Sequence, residues 1–172
     1  MVTCNQSDLA AKILALSQHG SRTKYIHEWV GINSRLDALQ AAVLLAKLPH
    51  LDTWTAARQS NAAFYRRSLA GLPITLPQQA IYQTNHVYNQ FVIRSSRRDH
   101  LKQFLAEQGV GTEIYYPLPL HMQPCYQYLG YNAGDLPESE QAARQVLALP
   151  IHPTLTPEDL SYVVTRIHDF HN

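Results

Sequence analysis

Apolar residues recur at steps of three and four along much of this chain, which predicts helices that each bury one face. The first runs from Ser7 through Leu9, Ala10, Ile13, Leu14 and Leu16, with Ser7 as its N-cap and a stop near His19-Gly20. Met1-Val2-Thr3 reads as the end of a strand, and Ser21 to Asn33 as a polar loop rich in rings. Ser34-Arg35-Leu36-Asp37 fits a capping box, and Leu36, Leu39, Val43 and Ala46 form the stripe of the helix behind it. Pro49 interrupts that stripe because it lacks an N–H and crowds the preceding turn. The period resumes at Leu51, Trp54, Arg58, Ala62, Tyr65 and Leu69 and ends at Gly71. The expectation is two helices, or one long helix kinked at Pro49.

Alternation takes over in the second half. His86 to Arg94 predicts a strand with Val87, Phe91 and Ile93 on one side and His86, Tyr88, Gln90 and Arg94 on the other. Thr112 to Tyr116 predicts another, and Val146 to Pro150 a short extended piece. Between them lie a helix capped by Ser96 to Asp99 and stopped by Gly109, and a helix from near Pro137 to Gln145. The last helix has Thr156 as N-cap, Pro157 in its first position, and Leu160, Val163, Val164, Ile167 and Phe170 inward. This order implies an α+β fold: a small antiparallel or mixed sheet packed with helices, preceded by the long linking helix.

Composition narrows the functional classes. Of 172 residues, 45% are hydrophobic and 16% charged, which excludes a disordered chain. A formal charge of +1 sets up no field that would favour nucleic acid or an anionic membrane. No apolar run is long enough to span a bilayer, and no secretory signal is visible. Cys4 and Cys125 read as reduced thiols, so a cytoplasmic location is expected. The nine histidines lack ligand spacing, so no metal is expected; His168 and His171 read as solvent-facing groups at a helix C-terminus. Cys125 has His121 four residues away but nothing else of a nucleophilic site, and is expected to be idle or buried.

Two segments carry more chemistry. Gly31-Ile32-Asn33-Ser34-Arg35 places backbone amides at a helix N-terminus beside a guanidinium and an amide side chain. That is an anion site or an ordinary cap with a solvated arginine. Lys24-Tyr25 adds a second cation. Tyr115-Tyr116-Pro117 and Pro119-Leu120-His121 form a rigid aromatic corner, lining a pocket or filling core.

Together these segments resemble the DegT/DnrJ/StrS family of sugar aminotransferases. The match rests on Lys24 to His27, Gly31 to Ala42, His86 to Arg94, Gly111 to His121, Gly134 to Ala143 and Leu147 to Pro150, in that order. The resemblance implies the C-terminal part of a chain with the aspartate-aminotransferase fold and pyridoxal 5'-phosphate as cofactor. The implied activity moves an amino group, usually from glutamate, onto a nucleotide-linked keto-sugar. On that basis residues 1–33 would be a remnant of the large cofactor domain, 34–71 the linking helix or helix pair, and 72–172 the small domain. The resemblance assigns Asn33 and Arg35 to the cofactor phosphate of a neighbouring subunit. It places Lys24 and Tyr25 near the sugar-nucleotide phosphates, with His86, Tyr116 and His121 as sugar or nucleotide contacts.

The family's cofactor lysine, pyridine-nitrogen carboxylate and ring-stacking residue lie in a large domain that precedes the matching region. Lys12, Lys24, Lys47 and Lys102 are the lysines present, and none sits in the family's lysine motif. The chain is therefore expected to have no catalytic residue of its own and not to transaminate or hold the cofactor alone. Two other roles stay open: a non-catalytic interaction protein that pairs with itself or a full-length homologue, and a sugar-nucleotide binding module. The apolar faces of Ala10 to Leu16 and Leu36 to Ala46 are expected to drive association.

Overall fold

A computed structural model describes residues 2–172. The chain divides into two compact units, Met1–His50 and Leu51–Asn172.

The first unit holds helix α1 (Ser7–Ser17), an antiparallel hairpin of β1 (Ser21–Thr23) and β2 (Ile26–His27), and helix α2 (Ala38–Lys47). Several sequence expectations change here. Ser7 is the first residue of α1 rather than its cap; Gln6 holds the cap position without a side-chain bond. Val2 and Thr3 lie outside any strand, and the remainder of that expected strand end, Met1, is outside the described residues. The expected loop of Ser21 to Asn33 contains the hairpin. Its base closes on Gly20, whose carbonyl accepts from the amides of Glu28 at 2.9 Å and Trp29 at 3.3 Å. Helix α2 starts later than Ser34: Asp37 is the N-cap, and Gln40 Oε1 accepts from the Asp37 amide at 3.1 Å. Pro49 falls in a 3-10 turn, Leu48–His50, so of the two expectations, a pair of helices or one kinked helix, the pair is observed.

The second unit contains α3 (Leu51–Ser68), β3 (Phe91–Arg94), α4 (Arg98–Glu107), α5 (Pro137–Gln145), β4 (Val146–Leu149) and α6 (Pro157–His171). β3 and β4 pair antiparallel, with Phe91 opposite Leu149 and Ile93 opposite Leu147. These four side chains share one face of the pair by the two-residue period, and all four are buried. Tyr65 and Leu69 of α3, Leu101 and Leu105 of α4, and Leu160, Val163, Val164 and Ile167 of α6 join them in one core. Thr75 bridges Arg94 on the outer edge of β3, and Glu113 bridges Ala148 on the outer edge of β4. The fold is α+β with antiparallel pairing.

Both predicted long strands shorten for identifiable reasons. Ahead of Phe91, Tyr88 has φ +45°, and its ring is buried rather than opposed to Phe91. The carbonyls of His86 and Val87 accept from Gln59 Nε2 at 3.0 Å and Arg58 Nε at 2.9 Å, so helix α3 takes the bonds a ladder would need. Thr112 to Tyr116 reduces to the single bridge at Glu113, just before Pro117 and Pro119, which cannot donate to a ladder. His168 also departs from expectation: its Nε2 bonds the Ser68 carbonyl at 2.8 Å, tying α6 to the end of α3. Both cysteines are exposed, including Cys125.

One buried polar atom in this core has no partner among the described residues, the Tyr65 hydroxyl. Burial, with Asp159 adding to it, pushes its phenol well above the ordinary tyrosine range. Tyr65→Phe keeps the ring that stacks at 5.2 Å on Phe91 and removes an unpaired hydroxyl. The expected result in urea denaturation is unchanged stability or a gain of about 1 kcal/mol. A loss of that size would show that the hydroxyl has a partner.

Candidate functional site

In the first unit the side chains with binding chemistry sit on the hairpin and on the segment leading into α2. Lys24 and Tyr25 form the hairpin tip. Tyr25 has φ +70°, the residue is 83% exposed, and Lys24 Nζ lies 5.0 Å from its ring centroid. Arg22, one strand repeat earlier, stacks at 4.8 Å on Trp29 and pairs with Glu28 at 3.7 Å. An exposed ammonium beside an exposed aromatic ring offers a charge to an anion and an apolar surface to a flat ring. Arg22 escaped the sequence reading: its partners Glu28 and Trp29 are brought to it by the hairpin, which the sequence reading took for a loop.

The segment Gly31 to Arg35 is anchored on the end of α1. The Ile32 amide donates to Leu16 O and the Ser34 amide to Ser17 O, each at 2.9 Å, and the His19 amide donates to Ile32 O at 3.0 Å. A Cβ on Gly31 would stand 2.3 Å from the Gly20 nitrogen, so only glycine permits this approach. The expected row of free amides at a helix N-terminus changes in two ways: the Ile32 and Ser34 amides are already bonded, and the helix begins three residues beyond Arg35. The side chains remain. Arg35 Nε donates to Asn33 Oδ1 at 3.1 Å, both residues are exposed, and Arg35 forms no ion pair among the described residues. Its Nη groups and the Asn33 amide nitrogen are hydrogen-bond donors with no carboxylate competing for them. That donor set suits a phosphate group, which supplies only acceptors at its dianionic oxygens.

The second unit carries His86, Tyr116 and His121. His86 is half-buried; its Nδ1 accepts from the Tyr88 amide at 3.0 Å, and its ring lies 4.2 Å from that of Tyr88. Its other nitrogen has no bond among the described residues. Tyr116 is 74% exposed. His121 is different: it is buried on a 3-10 turn, Leu120–Met122, and its Nε2 meets Glu140 Oε1 of α5 at 3.2 Å. Glu140 also accepts from the Gly134 amide at 2.7 Å. The Gly134 amide is the main reason the Glu140 carboxyl sits below its usual range; His121 works in the same direction and partial burial opposes both. The structure therefore joins Asn33 with Arg35, and Lys24 with Tyr25, while His121 stands with Glu140.

No group of three metal-ligating side chains occurs among the described residues. No described helix is long and apolar enough to cross a membrane.

The family model of the DegT/DnrJ/EryC1/StrS aminotransferases matches residues 1–168, and the chain belongs to that family. It is 46% identical over 174 residues to the pleiotropic regulatory protein of Geobacillus stearothermophilus, covering 99% of this chain and 46% of that one. It is 42% identical over 170 residues to the dTDP-3-amino-3,4,6-trideoxy-alpha-D-glucose transaminase of Streptomyces venezuelae, covering 98% and 45%. The crystal structure of S. venezuelae DesV in complex with a ketimine intermediate matches with a TM-score of 0.91 at 42% identity, over 97% of this chain and 45% of that chain. The chain spans about half the length of the curated relatives it matches.

Proposed function

We propose that this chain supplies the phosphate-anchoring loop and the small domain of a pyridoxal-phosphate-dependent aminotransferase acting on nucleotide-linked keto-sugars, with glutamate as amino donor. The observation that carries this reading is Arg35: an exposed guanidinium, oriented by Asn33 Oδ1 at 3.1 Å and without an ion pair among the described residues. Bound pyridoxal phosphate supplies the electron sink that such chemistry requires. Arg35 and Asn33 hold the cofactor's phosphate from a neighbouring subunit, fixing its position by a planar fork. Lys24 neutralises the substrate diphosphate, and Tyr25 offers its open ring to the attached base or sugar. On the other unit, His86 and Tyr116 are the proposed polar contacts to sugar or nucleotide.

The same reading makes the isolated chain catalytically incomplete, because Lys12, Lys24, Lys47 and Lys102 do not match the family's cofactor lysine. Activity then requires that the cofactor lysine come from outside these 172 residues, and a full-length relative is the proposed source. A full-length relative whose own counterpart of Arg35 is changed to alanine should regain transaminase activity on addition of this chain. Arg35→Ala here should lower that gain at least about tenfold. No gain from the parent chain would set the reading aside, and a stoichiometric borohydride-trapped adduct on one of the four lysines would overturn the incompleteness.

A second reading, a non-catalytic pairing protein, is favoured by one observation. Leu39, Val43 and Leu44 of α2, with Leu36 before it and Leu48 after it, are all exposed, an apolar stripe of the kind that covers a partner. Activity rescue distinguishes it from the first, since pairing alone restores none.

A further inference from the structure

The stretch 111–142 holds the aromatic corner and five exposed tyrosines, Tyr115, Tyr116, Tyr126, Tyr128 and Tyr131 among them. It has almost no core of its own. Between Val110 and Ala143, both buried, His121 is the one buried side chain. Apart from the short turns Leu120–Met122 and Pro124–Leu129 and the first two turns of α5, the stretch has no regular structure. What places those tyrosines is therefore a small number of specific bonds rather than area removed from water.

Those bonds converge on one carboxylate. Glu140 Oε1 takes His121 Nε2 at 3.2 Å and the Gly134 amide at 2.7 Å, and Arg144 Nη1 approaches Oε2 at 3.9 Å. The side chains of His121 and Glu140 are 4% and 13% exposed. An ionised carboxylate only accepts, so Nε2 carries the proton and donates. Tyr131 closes the far side, its ring edge-on to His121 at 6.2 Å. One oxygen thus ties the 3-10 turn that follows Tyr116 and precedes Tyr126, and the Gly134 turn after Tyr131, to α5. Because the group is shielded from solvent, each of these charge-assisted bonds counts for more than an exposed ion pair.

We propose that His121 is a positioning residue, which with Glu140 clamps the tyrosine-bearing segment onto α5, rather than a group that touches sugar or nucleotide. This deepens the proposed function and rests on it only for the purpose of the clamp, which is to present Tyr116 and its neighbours to a nucleotide-sugar.

The test is hydrogen exchange on the 172-residue chain and its variants. His121→Phe keeps a ring but removes the donor, and should raise exchange across 119–136 by about tenfold or more while Leu101, Leu147 and Ile167 keep their protection. Chymotryptic cleavage after Tyr126 and Tyr128 should rise in parallel. His121→Gln restores a donor and should return the segment to within about threefold of the parent. Unchanged exchange in His121→Phe, or a Gln variant no better than Phe, overturns the clamp. Should His121→Phe lose core protection as well, Glu140→Ala and Glu140→Gln decide. The amide oxygen of Gln still accepts both bonds, so Ala alone should loosen the segment, and equal behaviour of the two refutes the proposal. A dTDP-glucose titration keeps the two claims apart. Failure of the parent to bind weighs on the proposed function alone. Lost binding in His121→Phe without loosening makes His121 a contact and defeats the clamp.

Discussion

Gly20→Ala is expected to unfold the hairpin and release the Asn33–Arg35 segment, at a cost of about 3 kcal/mol or more to the first unit. Gly20 has φ +76°, a region that L side chains rarely adopt, and a Cβ there would stand 1.8 Å from the Trp29 carbonyl oxygen. That oxygen is backbone, so no rotamer change relieves the overlap. Gly20 is also the hub of the unit: its amide donates to Ala15 O at 2.8 Å, and its carbonyl holds Glu28 and Trp29. Displacing it breaks the helix end and the hairpin base together. Hydrogen exchange checks this. The amides of Glu28, Ile32 and Ser34 should lose protection, and those of the Leu51–Asn172 unit should keep theirs. Retained protection at Ile32 and Ser34 would show that the backbone can move aside cheaply.

In the second unit the largest expected effect belongs to Arg98→Ala, a loss of about 3 kcal/mol in chemical denaturation. Arg98 is buried, unusual for arginine, and its Nη1 donates to Ala143 O at 3.0 Å and Val146 O at 3.1 Å. Ala143 lies in the last turn of α5, where carbonyls have no intrahelical donor. Val146 opens β4, so one guanidinium closes the junction between helix and strand. Truncation leaves both carbonyls unpaired and a void where the stem packed. The 2.6 Å contact of Arg98 Nε with Asp99 adds little, because that carboxylate is largely exposed. Arg98→Met separates the parts: it refills the void, so a comparable loss assigns the effect to the lost bonds. A variant of Arg98→Ala with parent stability would mean that water replaces the guanidinium at no cost.

Where local chemistry sets the outcome, the sequence reading and the structure agree closely. α6 starts at Pro157 behind Thr156, whose Oγ1 accepts from the Asp159 amide at 3.1 Å; Leu160, Val163, Val164 and Ile167 are buried as the period requires. α5 spans Pro137–Gln145, the range that the proline start and apolar period mark. Asn33 and Arg35 meet because they are two residues apart. The failures have one shape. His86 to Gln90 alternates like a strand, but the carbonyls of His86 and Val87 are claimed by Gln59 and Arg58, and that choice belongs to α3. Ser34 looks like a cap, yet its amide is spent on Ser17, so the helix waits for Asp37. Glu140 carries no local mark as the partner of His121, nineteen residues away.

By itself, then, the sequence determined most of the helical stretches and where the best-capped helices begin, because caps and apolar periods act within one or two turns; its motif segments, taken in order, separately carried the resemblance to the family. Only the tertiary structure decided that β3 pairs with β4, that Arg98 is buried at a helix–strand junction, and that His121 faces a carboxylate. Such pairings join residues far apart in the chain. Their selection depends on the burial and bond satisfaction of the whole core, which no short window of residues encodes.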